Sequence, residues 1–359
     1  METTEINSIS DLSKILQTLG EPEKGHTRFF RGHGDEGWQM LPSIYRETSL
    51  IENEDKIIKD ALTYCPDDFL PSDTLFEKLV KLQHYGYSTR LLDLTTNALV
   101  ALYFAAQPYK EKKPYSDEYK SKDGELIIFD IPNEHIKYGD SDTVAILSAI
   151  STQKNEFSIL KAKTHANNYK NLAKHAHALS QEFKNDSYDF GKNIKENRYK
   201  EMLLQWSNFS SNIKPIIEEN NKKIIEEKFL TIFNNNKEIT SLLHDIQADK
   251  PSFRPLIHPD DLERVLCVRA KLNNARISRQ QGCFLLFGIN GSKTKAAAIP
   301  AKWHPSALKN QKILIKAESK AAIMQELQSF GISKRTLFPE LEAQAKEIRP
   351  LAKIFIPSH

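Results

Sequence analysis

The sequence predicts an α+β fold, in which a body with a mixed or antiparallel sheet and flanking helices is interrupted by a helical insertion. Short apolar runs bounded by turn-forming residues, the pattern of buried strands, occur in residues 25–150 and again in 261–359. Between them the chain is rich in Asn, Lys and Glu and poor in Gly and Pro, which favours helices. We therefore divide the chain into an N-terminal helix (1–24), the first part of the body, a helical insertion (151–260) and the second part of the body.

The individual elements follow from hydrophobic periodicity. Residues 73–85 place apolar side chains at helical spacing, with Ser72 or Asp73 as the cap and Gly86 at the end. Strands are expected at TRFFRGH, GELIIFDIP, LERVLCVRA, GCFLLFGI and ILIKAE, and further helices at SISDLSKILQTL, NYKNLAKHAHALSQEF, IKPIIEENNKKIIEEKFLTIF and AAIMQELQSFGI.

Composition excludes several classes of protein. The chain has 359 residues, with 50 basic and 47 acidic side chains and a net charge of +3. This near-balance argues against a protein that nucleic acid holds by counterion release alone, although it leaves room for a local basic groove. A hydrophobic content of 40% and a charged content of 27% are typical of a globular chain.

The cysteines and the apolar runs indicate the compartment. Cys65, Cys267 and Cys283 are widely spaced, so neither a disulfide framework nor a structural zinc site is expected. No apolar run approaches the roughly 20 residues that cross a bilayer, and the N-terminus lacks the layout of a signal peptide. We expect a cytoplasmic protein without a membrane partner. The histidines are scattered, and we expect no metal.

The segment FFRGHG is the first candidate site. Arg31 lies at the end of a short apolar strand, where a guanidinium can present its fork of donors to a phosphate or carboxylate. Gly32 and Gly34 would let a ligand approach the backbone closely. The alternative is a hairpin turn with a solvated or ion-paired arginine.

The segment QHYGYSTRLLDLTTN is the second candidate site. It supplies hydroxyls, a guanidinium and a carboxylate in a loop before the helix at LTTNALVALYFAAQ, whose N-terminus would suit an anion. The apolar helix would be buried and would hold the polar loop rigidly. The alternative is structural: Arg90 and Asp93 would form an ion pair and the hydroxyls would only cap the helix.

The third candidate is RISRQQGCFLLFG, in which Gln281 precedes a buried strand. An amide can orient a substrate but is a poor general base, and ordinary edge residues are the alternative. Other catalytic patterns are absent from the sequence, including the P-loop, the dinucleotide-binding GxGxxG and the GxSxG elbow.

These three segments, in this order, resemble the FRG-domain family, which is named for its Phe-Arg-Gly motif. Trp38–Arg46 (WQMLPSIYR) and GISKRTLFPELE add to the match, and the resemblance covers roughly 25–150 and 262–350. The chain departs from the family pattern at Ser88, where Pro is usual, and at Leu94, where Trp is frequent.

The layout of the family is similar to that of ADP-ribosyltransferases, and the resemblance implies NAD as the substrate and no metal. Arg31, Thr89 and Gln281 would be the catalytic residues, with Gln281 orienting the acceptor. The residues implied to bind the dinucleotide are Arg31, Gly32, His33, His84, Tyr85, Ser88, Arg90, Thr95 and Thr96.

The function implied is that of an ADP-ribosyltransferase-like effector, a bacterial toxin or antiphage component with a neutralising antitoxin or other defence partner. Its acceptor would be nucleic acid or protein. RNA is favoured because the insertion carries Lys161, Lys163, Lys170, Lys174, Lys184, Lys192, Lys195, Arg198 and Lys200, unless these form a solvated helical face. One alternative is a binding module that holds a nucleotide or phosphorylated ligand without turnover. A metal-dependent nuclease is a poor third, because Asp93 has no partner carboxylate nearby.

Overall fold

An eight-stranded mixed sheet organises the part of the chain that the computed structural model describes, residues 2–112, 119–189, 222–272, 274–308 and 311–341. In chain order the strands are β1 (Glu2–Ile6), β2 (His26–His33), β3 (Leu91–Thr95), β4 (Lys110–Lys112), β5 (Tyr119–Ser121), β6 (Gly124–Pro132), β7 (Ile136–Tyr138), β8 (Val265–Arg269), β9 (Gly282–Phe287), β10 (Ile289–Asn290), β11 (Ser292–Ala296) and β12 (Gln311–Ile315). The strand order of the sheet is β1-β12-β6-β2-β3-β9-β8-β7. β1 and β7 are parallel to their neighbours at the two edges, and the interior pairs are antiparallel.

Helices flank this sheet. Within the described residues they are α1 (Ile9–Leu19), α2 (Thr48–Glu52), α3 (Glu54–Tyr64), α4 (Leu75–His84), α5 (Ala98–Ala105), α6 (Asp142–Ala149), α7 (Leu160–Asp189), α8 (Lys222–Asn234), α9 (Lys237–Asp249), α10 (Pro259–Leu262), α11 (Ala275–Arg279), α12 (Lys320–Ser329) and α13 (Lys334–Leu337). The predicted α+β class is confirmed. None of these described helices is both long and apolar enough to span a membrane.

The main correction to the predicted elements is β3, which lies near the middle of the sheet where a polar loop was expected. Leu91, Leu92 and Leu94 are buried, and the strand pairs with β9 along its whole length. The strand escaped prediction because the exposed Asp93 and the hydroxyl residues on either side mask a short apolar run. A smaller correction concerns α4, which is capped by Thr74 through a capping box with its third residue, Glu77.

The helix α5 is packed directly on β2. A Cβ atom at Gly32 would lie 2.0 Å from the carbonyl oxygen of Ala101 and 2.5 Å from the nitrogen of Ala105, so only glycine permits this approach. The Asn97 side chain caps the helix by accepting hydrogen bonds from the backbone N–H groups of Leu99 and Val100. The backbone of β2 is therefore held against a rigid apolar support.

The predicted insertion is mainly helical where it is described, with irregular segments at 153–159 and 250–258. Phe233, Ile239, Leu242 and Ile246 of α8 and α9 are buried in the same apolar cluster as α4 and α6. These helices thus contribute to the core on one side of the sheet. Residues 190–221, which include Lys192, Lys195, Arg198 and Lys200, lie outside the described residues.

Candidate functional site

A cleft opens where the two central strands separate. β2 pairs with β6 at eight positions but with β3 only at Phe30 and Thr95. Beyond that pair the facing edges of β2 and β3 diverge, and the space between them and helices α4 and α5 is a cavity of about 340 Å³. This volume lies within the range of small-molecule sites. Larger cavities exist elsewhere in the described structure, but this one is lined by Arg31, His84 and Thr95, which the sequence analysis assigned to a site.

Arg31 spans the gap between the diverging strands. Its Nη1 donates a hydrogen bond to the main-chain oxygen of Asp93, at 2.6 Å, and its Nε donates to Nε2 of His33, at 2.8 Å. Its Nη2 has no hydrogen-bond partner among the described residues. Burial lowers the pKa of Arg31 to about 10, so the side chain is charged at neutral pH. Arg31 is therefore a fixed cation with donors still available to a ligand.

His33 lies behind Arg31 and is fully buried, so it supports the arginine and does not line the cleft. Burial, followed by the positive charges of Arg31, Arg46 and Lys312, lowers the pKa of His33 from 6.5 to about 3. The neutral imidazole accepts the Arg31 hydrogen bond at Nε2, which puts its proton on Nδ1. The implied role of His33 in holding a dinucleotide would therefore be indirect.

Two aromatic side chains line the same cleft as Arg31. Trp38 and Tyr109 are 37% and 38% exposed, and their rings meet edge to face with centroids 5.2 Å apart. The guanidinium carbon of Arg46 lies 6.0 Å from the centre of the Trp38 ring. Sequence reasoning used Trp38 only as part of a family motif. An exposed tryptophan four residues after a glycine-rich strand end was the available signal.

Asp93 supplies the only carboxylate among the described residues that line the cleft. Its side chain is exposed, and Oδ1 accepts a hydrogen bond from Nε2 of Gln83 at 2.9 Å. The Oε1 atom of Gln83 in turn accepts from the Thr89 hydroxyl at 2.5 Å. Thr89 is fully buried and lies outside the cleft, so the implied catalytic role of this hydroxyl would be to orient Gln83 and, through it, Asp93.

The remaining wall comes from β3, α11 and the end of α4. The Thr95 hydroxyl donates to the main-chain oxygen of Gln280 at 2.7 Å, and this bond ties β3 to the segment that precedes β9. Arg276 is half-buried, with its guanidinium carbon 4.5 Å from the centre of the Phe338 ring. Arg276 thus adds a second cation to the cleft. It was not among the implied ligand residues.

His84 lines the same wall, as the resemblance implied. Its Nε2 lies 3.5 Å from Oε1 of Glu340. Burial and the charge of Arg276 lower the pKa of His84, against the opposing effect of Glu340. The imidazole therefore titrates below its ordinary range.

Several implied ligand residues lie outside the cleft. Arg90 is fully buried in an ion pair with Glu54, with Nε–Oε1 at 2.9 Å and Nη2–Oε2 at 2.5 Å, and its Nη1 donates to the main-chain oxygen of Phe287. The alternative ion pair between Arg90 and Asp93 is therefore wrong. Tyr85 is 64% exposed and borders a separate shallow cavity, and Ser88 is half-buried away from the cleft.

Gln281 and Thr96 border a neighbouring cavity of about 980 Å³ and not the cleft that holds Arg31. The Thr96 hydroxyl donates to Oε1 of Gln281 at 3.3 Å. Gln281 has a φ of 48°, and no other non-glycine residue of the described structure has a positive φ. The two cavities adjoin, because Gly282 and Cys283 line both. Arg31 and Gln281, the first and last of the implied catalytic residues, thus lie in adjoining cavities.

Fold and cleft together define an α+β domain in which a fixed arginine and two exposed aromatic side chains line a cleft at a split between sheet strands. Residues 26–114 match the family model of the FRG domain, and the chain therefore carries an FRG domain. This segment includes Arg31, Trp38 and Asp93, and it ends before the second part of the resemblance, 262–350. No curated protein and no solved structure matches the chain.

Proposed function

We propose that the cleft binds NAD and that the protein transfers ADP-ribose to a polymer. One observation carries the proposal: Arg31 is held by two hydrogen bonds with Nη2 unpaired among the described residues, and the exposed rings of Trp38 and Tyr109 line the same cleft. A fixed guanidinium suits a pyrophosphate, and exposed aromatic side chains suit a purine or nicotinamide ring. Arg276, which also lines the cleft, adds a second positive charge.

The reaction would proceed as a substitution at C1′ of the nicotinamide ribose. The glycosidic C–N bond breaks, and neutral nicotinamide leaves with the bonding electron pair. A bond forms between C1′ and the acceptor atom, which loses its proton to solvent or to a base. The oxocarbenium-like state needs a well-held dinucleotide and nearby negative charge more than a strong nucleophile.

The acceptor would occupy the cavity next to the cleft. Gln281 borders that cavity and is one residue from Gly282, which lines both. Its amide could orient an acceptor through the nitrogen that Thr96 does not use. Gln281 would therefore act on the acceptor side of the reaction.

The acceptor class and the setting follow from the resemblance. An effector of the toxin or antiphage type would modify RNA, DNA or protein and would require a neutralising partner. The preference for RNA is weakened because Lys163 pairs with Glu263 and Lys170 pairs with Glu226, which neutralises part of the basic run in α7.

A second candidate is a binding module that holds a nucleotide without turnover. It is favoured by the distance of two implied catalytic groups from the cleft, since Thr89 is buried behind Gln83 and Gln281 borders the other cavity. Both candidates require Arg31. They differ in whether the glycosidic bond breaks.

The experiment uses purified protein and NAD labelled on the adenylate phosphate, with RNA, DNA and cell-extract protein in separate reactions. Wild type is compared with Arg31→Ala, Gln281→Ala and the surface control Asp60→Asn. We expect label on one class of polymer and nicotinamide release with wild type and the control, and neither with Arg31→Ala. Tight NAD binding without nicotinamide release would establish the binding module. Absence of NAD binding by folded wild type would overturn the transferase and would leave only a module for another nucleotide or phosphorylated ligand.

A further inference from the structure

We infer that Asp93 makes the cleft select its dinucleotide by charge, so that oxidised NAD is bound in preference to NADH. The inference rests on the proposed function, and it gives Asp93 a role that the family resemblance does not assign. In this arrangement Arg31 holds the anionic pyrophosphate. Asp93 faces the end of the ligand that carries the positive charge.

The first argument is the position of the Asp93 carboxylate. Its side chain is exposed into the cleft, Oδ1 is fixed by Gln83, and Oδ2 has no hydrogen-bond partner among the described residues. A carboxylate held by one oxygen keeps the other available for a ligand. An amide-oriented carboxylate of this kind is a positioned charge and not a mobile surface group.

The second argument is that the cleft does not neutralise this carboxylate. Arg31 donates to the main-chain oxygen of Asp93 and forms no ion pair with its side chain. The two charges are nevertheless close, because the charge of Asp93 opposes the lowering of the Arg31 pKa. A cation and an anion therefore lie side by side within one cleft, each with a hydrogen-bonding atom that no described residue pairs.

The third argument is the chemistry of the ligand. Oxidised NAD carries a pyrophosphate and a cationic pyridinium ring, whereas NADH has the same pyrophosphate with a neutral ring, and ADP-ribose lacks the ring. A unit charge beside a carboxylate in a partly desolvated cleft changes affinity by about tenfold or more. When the glycosidic bond breaks, the positive charge moves to the ribose, and the same carboxylate would stabilise it.

The test measures the affinities of NAD, NADH and ADP-ribose by calorimetry for wild type, Asp93→Asn and Asp93→Glu. Asp60→Asn, which makes the same change of charge on the exposed face of α3, is the matched control. We expect wild type and the control to bind NAD about tenfold more tightly than NADH. Asp93→Asn should bind the two equally by losing affinity for NAD, and Asp93→Glu should retain part of the preference.

The affinity for ADP-ribose reports whether Asp93→Asn is folded with an intact cleft, and we expect it to change by less than about twofold, or to rise as repulsion of the phosphates is removed. An equal affinity of wild type for NAD and NADH, or a preference that survives in Asp93→Asn, would overturn the inference while leaving nucleotide binding intact. Failure of wild type to bind any of the three would instead overturn the proposed function, and with it the inference.

Discussion

Two arginines lie beside the central strands of this protein, and their surroundings are opposite. Arg90, immediately before β3, is fully buried and bonded to Glu54, to Phe287 and to the Tyr45 hydroxyl. Arg31, on β2, is half-buried and spans the gap between strands with Nη2 unpaired among the described residues. Both follow the pattern of an arginine beside a short apolar strand, but only Arg31 faces a cavity.

The buried region forms a closed network. Glu54 lies between Arg90 and Lys293, whose Nζ is 3.4 Å from Oε2 of Glu54, and all three side chains are fully buried. Lys293 also donates to the main-chain oxygens of Gln153 and Ser151. The network links α3, the start of β3 and β11. Because its strongest donors are satisfied internally, it stabilises the fold and has little left to offer a ligand.

The comparison of Arg90 with Arg31 shows that the number of unsatisfied donors, and not the residue type, distinguishes a structural arginine from a ligand-binding one. Arg31 is also held, but by a main-chain oxygen and a neutral imidazole, neither of which cancels its charge.

Removing the central charge of the buried network should have the largest effect. Glu54→Gln leaves Arg90 and Lys293 as two unpaired buried cations, so the free energy of unfolding should fall by about 3–5 kcal/mol. Urea denaturation followed by circular dichroism measures the change, with Asp60→Asn on the same helix as the control. A decrease in the free energy of unfolding below about 1 kcal/mol, as for exposed ion pairs, would show that the network does not stabilise the fold.

Substitution of Arg31 should instead leave the stability of the fold unchanged and lower the affinity for the ligand. Arg31→Ala removes a charge-assisted contact of about 1.5–3 kcal/mol, which corresponds to a loss of affinity for NAD of roughly ten- to a hundredfold. Calorimetry measures the affinity, and thermal unfolding is the companion measurement. The contrast between the two arginines would fail if Arg31→Ala unfolded the protein as Glu54→Gln does, or if NAD bound to it unchanged.

These two arginines also show what the sequence can and cannot predict. Arg31 was assigned to a strand end beside glycines, and this local pattern is sufficient because Arg31, Gly32 and His33 are consecutive residues. The partner of Arg90 could not be found in this way, since Glu54 is 36 residues away and lies on a separate helix. Asp93, three residues after Arg90, was the nearer but wrong partner.

The same reasoning explains the other successes and failures. The strand Gly124–Pro132 was predicted with its observed bounds, because its apolar residues are flanked by turn residues on both sides. β3 was read as a loop, because its pairing with β2 and β9 depends on strands distant in sequence. The separation of Gln281 from the cleft depends on the three-dimensional course of the chain between α11 and β9, and sequence spacing does not reveal it.

Acidification should destabilise the folded protein through His33, the imidazole that accepts a hydrogen bond from Arg31, while Arg31 itself stays charged. The pKa of His33 is about 3 in the folded protein and near 6.5 when unfolded, so between these values the unfolded state binds one more proton. Stability should therefore fall as the pH decreases below 6.5, by about 1.4 kcal/mol per pH unit, or about 2 kcal/mol at pH 5. The free energy of unfolding is measured from pH 8 to pH 4.5 for wild type and for His33→Gln, which keeps an acceptor for Arg31. Parallel pH profiles for the two proteins would contradict this role of His33.

The smallest expected effect concerns Thr89, which adjoins Arg90 in the chain but serves the cleft through Gln83. Thr89→Val removes the hydroxyl that donates to Gln83 and nearly preserves the shape of the residue 89 side chain. Gln83 is then held less firmly, so the Asp93 carboxylate that it orients loses part of its orientation. One hydrogen bond of about 1 kcal/mol corresponds to a roughly fivefold decrease in the preference for NAD over NADH, with the affinity for ADP-ribose unchanged. A positioning role predicts this change in the ratio, whereas a purely structural role predicts a loss of stability with the ratio intact. The contrast between the cleft and the buried network would then hold for two adjacent residues, since Thr89 would orient a side chain of the cleft and Arg90 would stabilise the buried network.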